Sequence, residues 1–309
     1  MELYVLQDIA SAVTSVTGST YDEWVDDNGA GYSIGDYVKV SFLESGATPI
    51  FPIVEYISLS NTNLDNYPPD DPVNWGEVGT ENAGKMFDGY TSTQTEDTAN
   101  IVVTIPVNKV SGVGLFGLYG TTVAFKLIRN AVTIKEETLD LRTLIPESGW
   151  YSWLYDSYEY GLSQLLWKFP KYPTGATLQV TIAHRLNVCK CGMIVVGVVR
   201  ELAETEHGCT VGIDDYSIKD TDILGRTYLS QGNFAKRANI TMWMDNAEID
   251  FVQRQLSAVR GLASIFDMNN ADYDDTYTSL AIYGYAQAFD TIIQGPTRSK
   301  CNLEIKGLI

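Results

Sequence analysis

The chain has 309 residues, 45% hydrophobic and 19% charged, with four cysteines and a formal net charge of −18. That is the composition of a globular protein rather than a disordered one, long enough for two or three compact units. The acidic balance excludes sequence-specific or phosphate-gripping nucleic-acid binding, which needs Lys and Arg to displace counterions, and no apolar run approaches the roughly 18 residues of a membrane span.

An acidic surface serves solubility, or repels a duplex passing close by. Nineteen Tyr, 26 Gly and many Thr and Val favour a mainly β fold. The start, Met1-Glu-Leu-Tyr, has no basic segment ahead of an apolar stretch, so no secretory signal is expected. Cysteines at 189, 191, 209 and 301 are too few and too uneven for a disulfide framework, which fits assembly in a reducing cytoplasm.

Residues 1–72 read as an N-terminal β region and linker. Tyr37, Val38, Val40 and Phe42 follow a Gly35-Asp36 turn and form a strand. Trp24 upstream either closes this small β unit or offers a ring to a sugar, and the Trp with Tyr-x-x-Gly-Asp-x-Val also looks like small chitin-binding modules. Pro68, Pro69 and Pro72 punctuate the chain and set a boundary near residue 70. Asp65, Asp70 and Asp71 lack the regular spacing of a calcium loop and read as solvated carboxylates.

Residues 73–211 read as a β-sandwich of jelly-roll kind. Trp75 at its lip can bury a large ring, Gly76, Gly79 and Gly84 permit turns, and Met86-Phe87 begin the apolar packing. Short strands follow at residues 101–105, 113–119 and 123–128. Leu178, Val180 and Ile182 alternate with polar residues, so one face points inward, and residues 193–199 are apolar enough for a sheet centre. Between strands lies the densest aromatic run, with Trp150, Tyr151, Trp153, Tyr155, Tyr158 and Tyr160 beside Asp156 and Glu159. Rings next to carboxylates suit either glycan recognition or a protein interface.

Residues 212–309 change character and read as a β-rich module with one packed helix. Ile249, Val252, Leu256 and Val259 follow helical spacing, Asp245 and Glu248 are placed as a capping box, and Gly261 ends the helix. Two strands follow, the last with Cys301, Leu303 and Ile305 on one face.

Two motif sets stand out. One is Trp75-x-x-Val78-Gly79-x-x-Asn82-x-x-x-Met86-Phe87-Asp88, downstream of Tyr32-Ser-Ile-Gly-Asp-Tyr-Val38. The other joins Gly212-Ile-x-Asp-Tyr-Ser217, Trp243-Met-Asp-Asn-Ala247 and Leu303-Glu-Ile-Lys-Gly-Leu308. Together they resemble a family of tailed-bacteriophage virion proteins of the tail tip or baseplate, with a carbohydrate-binding-like domain. Phe87-Asp88-Gly89 is also similar to galactose-binding-like sandwiches, and the C-terminal block to tube and distal-tail modules. The resemblance implies a structural virion protein assembled in the host cytoplasm. Its expected partners are other tail proteins, further copies in a ring of three or six, and host polysaccharide. A free glycan-binding protein or adhesin is the competing expectation.

No nucleophile elbow, phosphate loop or zinc-protease helix is present, so an enzyme is not expected and neither is a cofactor. Cys189, Cys191, His207, Cys209 and Cys301 are the nearest approach to a metal set. Residues two apart on a strand sit about 6.5–7 Å apart at the backbone, which favours buried thiols over ligands.

Overall fold

In the computed structural model the described residues are 1–7, 15–16, 21–26, 31–42, 49–143, 150, 159–160, 162–172, 174–184, 188–206, 208–223, 225–269 and 278–308. The fold is mainly β and sandwich-like, with a curled sheet and, among the described residues, one short α-helix at Ile249–Ala258. The chain forms two compact units, one from Met1–Gln7, Val110–Val113 and Val196–Ile309, the other from Asp8–Lys109 and Gly114–Val195.

The second of these contains a five-stranded antiparallel sheet in the order Val132–Asp140, Thr122–Arg129, Ala176–Ala183, Asn100–Val107, Ser15–Val16. Strict alternation explains its two faces. Leu178, Val180 and Ile182 are fully buried, as are Val103 and Phe125, the partners of Val180 on either side. Each such side chain contributes roughly 1.5–3 kcal/mol relative to exposure. Phe125 stacks on Trp167 with centroids 4.8 Å apart, and the Trp167 indole N–H donates to Glu137 Oε2 at 2.7 Å.

The same unit holds a three-stranded sheet of Tyr37–Phe42, Pro49–Ser58 and Trp75–Thr80. Its separate core is Trp24, Val38, Val40, Tyr56 and Trp75. The carboxylate of Asp36 accepts from the Ser33 N–H at 2.7 Å and fixes the turn before the first strand.

In the other unit, Val196–Glu201 pairs with Glu2–Gln7, which pairs with Ser264–Asp267. The sheet continues through Ala281–Ile292, Arg298–Gly307 and Phe234–Asp245. Glu204–Thr205 and Thr210–Asp215 both lie along the far side of Phe234–Asp245. The helix Ile249–Ala258 lays Val252 and Leu256 on one sheet face, against Leu3, Met242, Phe266 and Leu303 among others. The last strand turns Cys301, Leu303 and Ile305 into this core, as their alternation predicts.

Glu2–Gln7 pairs with Val196–Glu201 and its first residues with Ile265–Asp267, because sheet pairing is indifferent to sequence distance. One expectation changes here: the capping box does not form. A 3-10 turn, Asn246–Glu248, precedes the helix, the Asp245 side chain makes no cap hydrogen bond, and its Oδ1 lies 3.5 Å from Arg298 Nε instead. Gly261 does adopt the left-handed φ of +69° after the helix.

Candidate assembly surface

The most exposed apolar part of the described chain is a β ribbon. Thr210–Asp215 and Phe234–Asp245 pair antiparallel, and the chain between them continues as a second hairpin of Ile218–Thr221 with Thr227–Ser230. Among the described residues these two short strands pair only with each other, and all eight of their residues are exposed. A kink separates the two halves. Tyr216 N–H donates to Asn233 O at 3.0 Å, Gly232 N–H donates to Ser217 Oγ at 3.0 Å, and a Cβ on Gly232 would lie 2.6 Å from Tyr216 O. Only glycine allows that approach. At the tip, Gly225 with φ +78° donates its N–H to Asp222 O, and Asp222 N–H donates to Arg226 O, both at 2.8 Å.

Apolar side chains cover the ribbon. Ile223 is 98% exposed, Leu229 75% and Ile218 68%, with Ile213, Tyr216, Tyr228 and Phe234 also exposed. An isolated two-stranded hairpin is marginally stable in water, and single-chain proteins rarely leave so much apolar surface contiguous.

Ion pairs brace the base of the ribbon. Asp214 lies within ion-pair distance of Arg237 and Lys306, and Asp215 of Lys219 at 2.7 Å. Hydrogen bonds from Lys219 and Ser217 hold the Asp215 carboxyl well below the ordinary carboxylate range. The neighbouring Tyr216 phenol, first by charge and then by hydrogen bond, raises the Lys306 ammonium. On the same sheet, Lys300 Nζ donates to both Glu206 oxygens and sits 4.3 Å from the Trp243 ring centroid.

A second open feature lies on the same sheet. Ser264–Asp267 covers only Ala281–Gly284, so from Tyr285 to Ile292 the strand pairs on the Arg298–Gly307 side alone among the described residues. Gln287 is an extra residue between paired Ala286 and Ala288, a bulge of the kind that sheet edges carry. Ile292 and Ile293 next to it are exposed.

The residues singled out from the sequence fall elsewhere. Trp24 and Trp75 are buried in the small core, with the Trp24 ring edge-on to Tyr67 and Trp75 edge-on to Tyr32. There they help to close the small β unit. Trp150 is 76% exposed. Tyr151, Trp153, Tyr155, Asp156 and Tyr158 lie outside the described residues, while Glu159–Tyr160 forms a short strand with Arg142–Thr143. The small module also carries an aromatic pair outside its core: exposed Tyr37 stacks on half-buried Tyr21 with centroids 5.1 Å apart. Its signal in the sequence is that Tyr37 is out of phase with inward-facing Val38 and Val40.

The cysteines do not gather. Cys189 and Cys191 are buried on a strand of one unit, their Sγ atoms facing the Asp97 and Met193 carbonyls. Cys209 and Cys301 belong to the other unit, and His207 lies outside the described residues. Among the described residues no group of three His, Cys, Asp or Glu side chains is placed to hold a metal ion. No described helix is long and apolar enough to cross a membrane.

No protein-family model, curated protein or solved structure matches the chain.

Proposed function

We propose that the chain is a structural component of a bacteriophage tail tip or baseplate, working by assembly and not by catalysis. The carrying observation is the uncovered apolar ribbon, together with an open sheet edge, on the unit that contains the C-terminal third. Surfaces of this kind need neighbours, and a repeated particle supplies them at fixed positions. The motif sets of residues 32–38, 75–88, 212–217, 243–247 and 303–308 add the tailed-phage context by resemblance. The test is mass spectrometry and antibody labelling of purified virions from a phage that carries the gene. Label at the distal end of the tail is expected, and particles that lack the chain overturn the reading.

Contact with host glycans is a further role of the same component, favoured by the exposed Trp150 ring and the Tyr21–Tyr37 stack. Flat aromatic faces suit the apolar C–H side of a sugar ring. Replacing Trp150 and Tyr37 by Ala is expected to lower adsorption of particles to cells without lowering particle yield. Equal adsorption removes this role and leaves the structural one.

A further inference from the structure

We infer that the ribbon of residues 216–233 is an arm that docks on a second copy of this chain, along the open edge of residues 285–292 in that copy. The inference rests on the assembly reading of this unit, but not on where in a particle the unit sits.

Exposure is the first argument. Tyr216, Ile218, Ile223, Tyr228 and Leu229 are all exposed, on a hairpin that pairs with no other strand among the described residues. Single-chain proteins rarely leave so many neighbouring apolar side chains uncovered.

The second argument is the disposition of the apolar side chains. Ile218 pairs across from Ser230 and Asp220 from Tyr228, so Ile218 and Tyr228 share one face while Leu229 is on the other. A ribbon apolar on both faces is not satisfied by one flat surface. Laid beside residues 285–292 it extends that sheet, and each of its faces then adjoins apolar side chains, Ile292 on the outer side and half-buried Phe289 on the core side.

The charge balance of the arm fits another copy as the partner. Residues 210–237 carry Asp214, Asp215, Asp220 and Asp222 against Lys219, Arg226, Lys236 and Arg237, four of each sign and a balance of zero, within a chain of net charge −18. Two such chains repel one another over most approaches. The neutral arm is where they can meet without that cost.

Arm and edge are different surfaces, so the contact is head-to-tail, and repetition gives a ring or a filament instead of a closed pair. Light scattering on the purified full chain tests this at micromolar concentration. Wild type is expected as three or more copies. Ile218→Asp with Leu229→Asp on the arm, or Ile292→Asp with Ile293→Asp at the edge, is expected to give the monomer mass with an unchanged circular dichroism spectrum. An equimolar mixture of these two variants retains one intact arm facing one intact edge, so it is expected to form dimers and nothing larger. A monomeric wild type, an arm variant that stays assembled, or a mixture that stays monomeric overturns the inference. An assembled arm variant leaves the tail reading standing, whereas absence from virions removes the tail reading and leaves the arm.

Discussion

The indole N–H of Trp75 donates to the main-chain carbonyl of Asn66 at 2.8 Å, tying the long connection of residues 59–74 to the core of the small β module. Trp75→Phe keeps most of the ring and removes the donor, so the Asn66 carbonyl is left unsatisfied. The expected loss is about 1–3 kcal/mol. Trp75→Ala also opens a cavity and is expected to cost about 3–5 kcal/mol. Urea titration followed by tryptophan fluorescence and circular dichroism measures both, and two near-neutral results would contradict this role.

Strand pairing at Gly284 gives a second prediction. A Cβ there would overlap the carbonyl oxygen of Lys306 and crowd Gly307, both backbone groups that cannot swing aside. Gly284→Ala is expected to destabilise by about 1–3 kcal/mol or more. Gly295 is the control, because its nearest neighbour to an added Cβ is Arg298 O at 3.8 Å, and Gly295→Ala is expected to be neutral or slightly stabilising. Equal midpoints for the two variants in thermal unfolding would contradict the argument.

The four thiols are expected to differ in reactivity. Burial pushes the Cys191 thiol up to about 12, and burial also raises Cys189 and Cys301, so thiolate is scarce in all three at pH 8. Cys209 is the one cysteine of the four that is half-buried and not buried. Alkylation of native protein at pH 8, mapped by mass spectrometry, is expected to label Cys209 first. The other three are expected to react only on unfolding.

Asp140 is expected to titrate far from its usual range. Hydrogen bonds from the Arg142 side chain, then from its backbone N–H, hold the carboxyl at about 2. A folded value below the unfolded one stabilises at pH values above the ordinary carboxylate range, and that contribution is lost as pH falls toward 2. The pair is largely exposed, so its effect on stability is screened and small, and the titration is the better readout. The Asp140 carboxyl carbon, followed by NMR, is expected to titrate near pH 2 and to return toward the ordinary range in Arg142→Gln.

Local pattern carried much of this fold. The alternation of Leu178, Val180 and Ile182 and the 3.6-residue spacing of Val252, Leu256 and Val259 each appear in the structure on the predicted face. What failed depended on distant partners. Nothing in Leu-Tyr-Val-Leu announces that Glu2 pairs with Glu201 on one side and Asp267 on the other. Asp245 has the right residue type and spacing for a cap, but Arg298, 53 positions later, offers its carboxylate a charged neighbour. Ring size suits a Trp to a core or to a sugar alike, so only the structure places Trp24 and Trp75 in the small core. The ribbon went unnoticed because Ile218, Tyr228 and Leu229 look like any buried strand residues until the structure leaves them outside.

The placement of Glu2–Gln7 also sets an order of events during synthesis. This strand leaves the ribosome ahead of its two partners, which follow about 190 and 260 residues later. At the roughly 5–20 residues per second of translation, it waits on the order of 10–50 s with its backbone groups unpaired. The unit of residues 8–109 and 114–195 is then complete in sequence while the other is still missing most of its strands. Apolar Leu3, Tyr4 and Val5 are thus exposed on a nascent chain before the pocket that receives them exists. Termination after residue 201 but before residue 264 yields a product with that strand half-paired, prone to joining the wrong chain.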